Sequence, residues 1–133
     1  MRSFTSNEMI SEFLNQKEIA VIGASRHPAK YGHIIYKKLK SAGYKVYAVN
    51  PEARTIDGDP SYSDLLSLPP TVKAAVVITP PLITEKIAAE MVKARYKYVW
   101  LQPGAESETA IKYLSAGGVF VIYNTCLLLR MNE

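Results

Sequence analysis

The sequence predicts an α/β fold: a single Rossmann-like domain with a doubly wound, mainly parallel sheet in the strand order 3-2-1-4-5-6. Three observations carry that prediction. Short runs rich in Val and Ile recur along the chain, they do not alternate with polar residues, and amphipathic segments of helix length separate them. Apolar runs without alternation mark strands covered on both faces, the condition of a parallel sheet, and right-handed crossovers then wind the sheet outward in two directions. A length of 133 residues suits one domain with a proper core and is short for two.

The elements follow in order. Thr5 and Glu8 stand at capping-box spacing, and Met9, Ile10, Phe13 and Leu14 follow at helical spacing. Residues 1–17 are therefore expected to form a helix packed on a domain made by residues 18–133. EIAVIG (18–23) is the first strand, residues 31–42 a helix stopped by Gly43, and YKVYAV (44–49) the second strand. In DGDPSYSDLLSLPP (57–70) the prolines exclude a long strand, so a short edge strand is expected at Asp59–Tyr62 and a brief helix over 63–68. AAVVIT (74–79), YVWL (98–101) and VFVIY (119–123) complete the sheet, with helices over 82–94 and over 106–116, the latter stopped by Gly117. No repeat, low-complexity tract or linker interrupts this pattern.

Composition narrows the function. No apolar run is long enough to span a bilayer, and MRSFTSNEMISEF lacks the apolar core of a signal peptide, so a cytoplasmic protein without a membrane role is expected. Cys126 is the single cysteine, which rules out an intrachain disulfide and fits a reducing compartment. The net charge of +4 is dispersed, with no basic stripe carrying interleaved aromatics, which argues against nucleic acid as partner. No His, Cys and carboxylate cluster has metal-binding spacing. Trp100 and the nine tyrosines are most economically packing residues.

In open parallel sheets ligands bind beyond the carboxyl ends of the strands, near the point where strand order reverses. That edge carries Gly23-Ala24-Ser25-Arg26, Asn50-Pro51, Thr79-Pro80-Pro81, Gln102-Pro103-Gly104 and Asn124-Thr125-Cys126. The first of these opens the interval GASRHPAKYG (23–32). A glycine directly after a strand lets the backbone turn sharply, and the following helix offers unpaired amides and its positive dipole end to a phosphate. Ser25 adds a hydroxyl, and Arg26, His27 and Lys30 add cationic or ionisable groups. The chemistry is phosphate binding.

Two familiar phosphate loops are absent. The dinucleotide fingerprint would need glycines where Ser25 and Pro28 stand, and an acidic residue closing the second strand where Asn50-Pro51 stands. Arg54 nonetheless offers a partner for a 2′-phosphate. The Walker pattern fails as well, since no G-K-[ST] occurs and Gly23 and Gly32 are too far apart for that loop. The interval is wider than a dinucleotide turn and suits a bulkier, more heavily phosphorylated group.

Taken together, GASRHPAKYG, GYKVYAVNP, VITPP, WLQPG and NTC resemble the stand-alone CoA-binding protein family, from about Ile19 to about Leu128. The same layout occurs in the N-terminal CoA-binding domain of the succinyl-CoA synthetase alpha subunit and of ADP-forming acyl-CoA synthetases. The resemblance implies a Rossmann-like domain that binds coenzyme A. By position it implies a phosphate loop of Gly23, Ala24, Ser25 and Arg26 beside Lys30, with Tyr31-Gly32 opening the helix beneath. Asn50-Pro51 would line the nucleotide side with Arg54 in reach of a phosphate. Ile78, Thr79, Pro80 and Pro81 would wall the adenine or pantetheine channel, and Leu101, Gln102 and Pro103 would close it. The chain departs from the family at Thr125, where an arginine often precedes the late cysteine, and at Ala53, where a tyrosine often follows the N-P pair.

Cys126 falls on the ligand edge by sequence, where the thiol of bound CoA would arrive, and a mixed disulfide is the reactive alternative to a small buried apolar residue. His27 and His33 flank the first crossover helix without a Ser, Cys or Asp partner at short range in sequence, so no catalytic residue is assigned. The expected function is binding of CoA or an acyl-CoA as a carrier, sensor or regulatory module. The alternatives are an NAD(P)-binding oxidoreductase or redox sensor, and a CoA-binding subunit that serves a separately encoded acyl-CoA synthetase. The oligomeric state stays open.

Overall fold

Val21 is flanked by Ala48 on one side and by Val76 on the other, and all three are fully buried. They sit at the middle of a parallel sheet in the computed structural model, which describes residues 5–131. Its strands are β1 (Glu18–Ile22), β2 (Lys45–Val49), β3 (Thr55–Ile56), β4 (Asp59–Tyr62), β5 (Ala74–Val77), β6 (Tyr98–Leu101) and β7 (Phe120–Ile122). Its helices are α1 (Ser6–Leu14), α2 (Tyr31–Ser41), α3 (Pro81–Lys93), α4 (Glu108–Ala116) and α5 (Leu127–Met131), with a 3-10 turn at Leu65–Ser67. The spatial order is β3-β4-β2-β1-β5-β6-β7, and every pairing is parallel except β3 with β4. From β4 to β7 this is the doubly wound order read from the sequence.

Side-chain alternation explains why the strands read as continuous apolar runs. Ala20, Ile22, Tyr47, Val49, Ala75, Val77, Val99 and Leu101 point to one core, which α3, α4 and the 3-10 turn cover. Ile19, Val21, Ala48, Ala74, Val76, Tyr98 and Trp100 point to the other, under α1, α2 and α5. Both faces are dry, so neither set of positions tolerates polar residues. The capping box of α1 is present, with Glu8 N bonded to Thr5 Oγ1 at 3.1 Å and Thr5 N to Glu8 Oε1 at 3.0 Å. Phe13 of α1 meets Trp100 edge-on at 5.3 Å between ring centroids.

Helix α5 was not expected, and three further local features differ from the expected boundaries. The segment 63–68 makes only a three-residue 3-10 turn, because Asp64 caps it through Ser67 N at 3.0 Å and the Pro69-Pro70 pair follows at once. Helix α4 starts at Glu108 and not at 106, because Ser107 is its N-cap, bonded to Ala110 N at 2.9 Å, while Glu106 turns back to accept from Gly104 N. The sheet also gains β3, paired antiparallel with β4 through a turn at Asp57-Gly58, where φ is 52° and 82°.

Helix α2 clamps this hairpin. His33 Nε2 lies 3.0 Å from Asp57 Oδ1, Tyr36 donates its hydroxyl to Asp59 Oδ2 at 2.7 Å, and Lys40 pairs with the same carboxylate. Lys40 and Tyr36 hold the Asp59 carboxyl below its ordinary 3.8, while burial and the Asp59 hydrogen bond push the Tyr36 phenol up. A carboxylate held low stabilises the fold above its unfolded pKa, and that contribution vanishes as pH falls through the lowered value. Asp59→Asn is therefore expected to cost about 1 kcal/mol at neutral pH, after allowance for solvent at a part-exposed pair, and nothing well below pH 3.8. Urea melts at pH 7 and pH 3 check the direction, with the cost expected to be smaller at pH 3, and an equal cost at the two would contradict the clamp.

Candidate functional site

A cleft of about 770 Å³ opens at the carboxyl ends of β1, β2 and β5. This is the point where the chain, having built outward from β1 to β2, crosses back to build outward from β1 to β5, so the crossovers diverge and leave a gap between them.

One end of the cleft is the Gly23 to Gly32 loop. Gly23 takes φ +98°, and a Cβ there would stand 3.3 Å from the Ile78 carbonyl carbon and 3.4 Å from Thr79 Cγ2. Gly32, in the first turn of α2, lies so close to the strand tip that a Cβ would collide with the Gly23 carbonyl oxygen and stand 3.2 Å from Ser25 N. The two glycines thus divide the work of the dinucleotide fingerprint, the first for the sharp turn and the last for close helix–strand packing, with a longer loop between them.

The loop is held open by its own hydrogen bonds. Asn50 donates Nδ2 to the Ala24 carbonyl at 2.9 Å and accepts from Glu52 N at 2.8 Å, so its side chain is a brace for the loop rather than a free ligand group. Ser25 Oγ accepts from His27 N at 3.1 Å, which leaves its O–H free to donate. Lys30 is the N-cap residue of α2 and supplies no side-chain cap, so the first amides of the helix, those of Tyr31 and Gly32, are left without a side-chain cap. Lys30 itself adds positive charge on the lining.

The remaining walls are apolar and then acidic. Ile22, Val49 and Ile78 form the inner surface, Thr79 and Pro80 lead into α3, and Ile83 and Ile87 continue along that helix opposite Leu65 of the 3-10 turn. Thr84 is fully buried and ties the start of α3 to the end of β5, with its hydroxyl 2.8 Å from that of Thr79. Glu52, Asp64 and Glu90 complete the lining. Burial, and secondarily the Asp64 charge, push the Glu90 carboxyl up.

Of the residues expected from the sequence, Gly23, Ala24, Ser25, Lys30, Tyr31, Gly32, Asn50, Pro51, Ile78, Thr79 and Pro80 line this cleft. Arg26, Arg54, Pro81, Leu101, Gln102, Pro103 and Cys126 do not line it. Arg26 and Arg54 are exposed, and the Arg54 carbonyl accepts from Ser61 N within the hairpin at 2.9 Å. Leu101 is core. Gln102 is buried, donates to Cys126 Sγ at 3.4 Å and accepts from Leu127 N at 2.7 Å, so it ties the end of β6 to the start of α5. The lining residues that the sequence reading missed are chiefly Glu52, Ser63, Asp64, Leu65, Ile83, Ile87 and Glu90. Their signal was present in part: positions 83, 87 and 90 repeat at i, i+4 and i+7 on one helical stripe.

The family model described as a CoA binding domain matches residues 17–132. The chain is 30% identical over 121 residues to the ADP-forming acetate–CoA ligase I of Archaeoglobus fulgidus, covering 84% of this chain but 18% of that protein. It is 28% identical over 123 residues to the uncharacterized protein YneT of Bacillus subtilis, covering 92% and 91%. Among solved structures, a conserved hypothetical protein from Pyrococcus furiosus superposes with a TM-score of 0.83 at 40% identity, covering 86% of this chain and 99% of that one. The dinucleotide-forming acetyl-coenzyme A synthetase 1 of Candidatus Korarchaeum cryptofilum gives 0.73 at 29% identity, covering 84% and 27%. No helix among the described residues is long and apolar enough to cross a membrane.

Proposed function

The chain belongs to the CoA binding domain family, and on that premise we propose that its cleft binds coenzyme A or an acyl-CoA, as a carrier, sensor or regulatory module and without a chemical step of its own. The observation that carries this reading is the contact between Gly32 and the tip of β1, which sets the free amides of an eleven-residue helix at the mouth of a cleft of about 770 Å³. Tyr31 and Gly32 with their backbone N–H groups, Ser25 with its hydroxyl and Lys30 with its ammonium all belong to the cleft's lining, a set suited to the oxygens of a diphosphate. The apolar stretch beyond gives the rest of the ligand a dry surface.

Ser25→Glu tests the phosphate end without disturbing the core, since Ser25 is part-exposed. The added carboxylate stands where a phosphate is to bind, and CoA affinity is expected to fall by about 1 to 3 kcal/mol, the scale of a charge-assisted hydrogen bond. Calorimetry reads the change directly, and unchanged affinity would move the phosphates away from this loop.

A second reading, a CoA-binding subunit for a separately encoded synthetase, is favoured by the match to 18% of a ligase. Co-purification of tagged protein from native lysate separates it from a self-sufficient module, because a stoichiometric ligase partner appears only in the first case.

A further inference from the structure

We propose that Glu90 is the residue that reads the base of the bound nucleotide, by accepting a hydrogen bond from the exocyclic amino group of adenine laid between α3 and the 3-10 turn. The proposal rests on the CoA reading above and adds the ligand's direction and a specificity residue to it.

The charges on the lining fix that direction. Lys30 stands on the Gly23 to Gly32 loop, whereas Asp64 and Glu90 neighbour one another where the 3-10 turn faces α3, so a diphosphate is attracted at the loop and repelled from that wall. What the acidic end favours is a neutral group that presents N–H donors, since an ionised carboxylate only accepts. Adenine presents a donor at N6. Ile83 and Ile87 on α3 and Leu65 on the turn supply apolar surface beside the carboxylate, as a planar base requires.

Glu90 is an open acceptor on that wall. Asp64 Oδ1 is taken by the backbone N–H and the hydroxyl of Ser67. Glu90 is half-buried on the cleft wall, and its carboxylate has no hydrogen-bond or ion-pair partner among the described residues. Its carboxyl is pushed up by burial and by Asp64, the signature of a carboxylate deprived of water without a donor in return. Pantetheine suits this end poorly. It carries carbonyl acceptors as well as amide donors, and α3 runs from the carboxyl edge back along the sheet, so Glu90 lies roughly 10 Å further in than Ile83. A thiol sent that way would be withdrawn from any second reactant.

The test is calorimetric titration of unmodified protein and of Glu90→Ala and Glu90→Gln with CoA, adenosine 3′,5′-bisphosphate and 4′-phosphopantetheine. Glu90→Ala is expected to weaken CoA and the bisphosphate alike, each by roughly tenfold, and to leave phosphopantetheine unchanged. Glu90→Gln keeps an acceptor oxygen and is expected to recover part of that loss. The melting temperature of either variant should equal or exceed that of the unmodified protein, because a carboxylate held against its preference is removed. Weakening of phosphopantetheine with the bisphosphate unaffected would reverse the ligand and overturn the proposal, as would no change with any of the three. If CoA fails to bind the unmodified protein, the underlying CoA reading falls and takes this one with it.

Discussion

Replacing Gly32 by alanine is expected to abolish detectable CoA binding and to cost about 3 kcal/mol of stability, the upper part of the range for overpacking. The sign is informative. In a helix, glycine to alanine ordinarily stabilises by about 1 kcal/mol, and Gly32 has no left-handed φ that would forbid the change. Here the new methyl collides with the Gly23 carbonyl oxygen and stands 3.1 Å from the Gly23 carbonyl carbon. Both are backbone atoms and no rotamer can give way, so α2 must move off the strand tip and carry its first amides with it. A urea melt and a CoA titration check the two consequences, and a stabilised variant that still binds would mean that the close approach of α2 to β1 is not what shapes the loop.

Gly23→Val is expected to be at least as damaging, for a different reason. With φ at +98° an L-residue is strained by about 1 to 3 kcal/mol before any contact is made. The branch then adds methyl groups to a space where Cβ alone would already stand 3.3 Å from Ile78 C. Strain and overpacking together are expected to leave a large unfolded fraction and no CoA binding. Gly23→Ala separates them, since it keeps most of the backbone strain and less of the crowding, and should fall between the two in thermal melts. Equal stability of all three proteins would contradict the turn described at Gly23.

The strand order was legible because Val and Ile fill both faces of the central strands, as at Val21 and Val76, whose neighbours in sequence are also buried. Strand β3 was not legible from apolar pattern, since two residues carry none; its signal was the Asp57-Gly58 turn, hidden beside Pro60. Helix α5 was not legible for a similar reason, since five residues carry too little periodicity. The phosphate end of the cleft could be read because its residues are contiguous. The acidic lining residues could not, because Glu52, Asp64 and Glu90 come from three separate segments of the chain that share one cleft only when the sheet is assembled. Gln102 shows the same limit: its partners, Cys126 and Leu127, are 24 and 25 residues away, and they make it a tie between β6 and α5.

The most direct test of the central claim is side-by-side calorimetric titration of the purified protein with CoA, dephospho-CoA, NAD and NADP. The Gly23 to Gly32 loop and the cleft beside it predict that CoA binds and the two dinucleotides do not, with any loss on going to dephospho-CoA measuring how far the 3′-phosphate is read. Binding of NAD or NADP with CoA silent would contradict the account and make the same cleft the site of a divergent dinucleotide-binding protein.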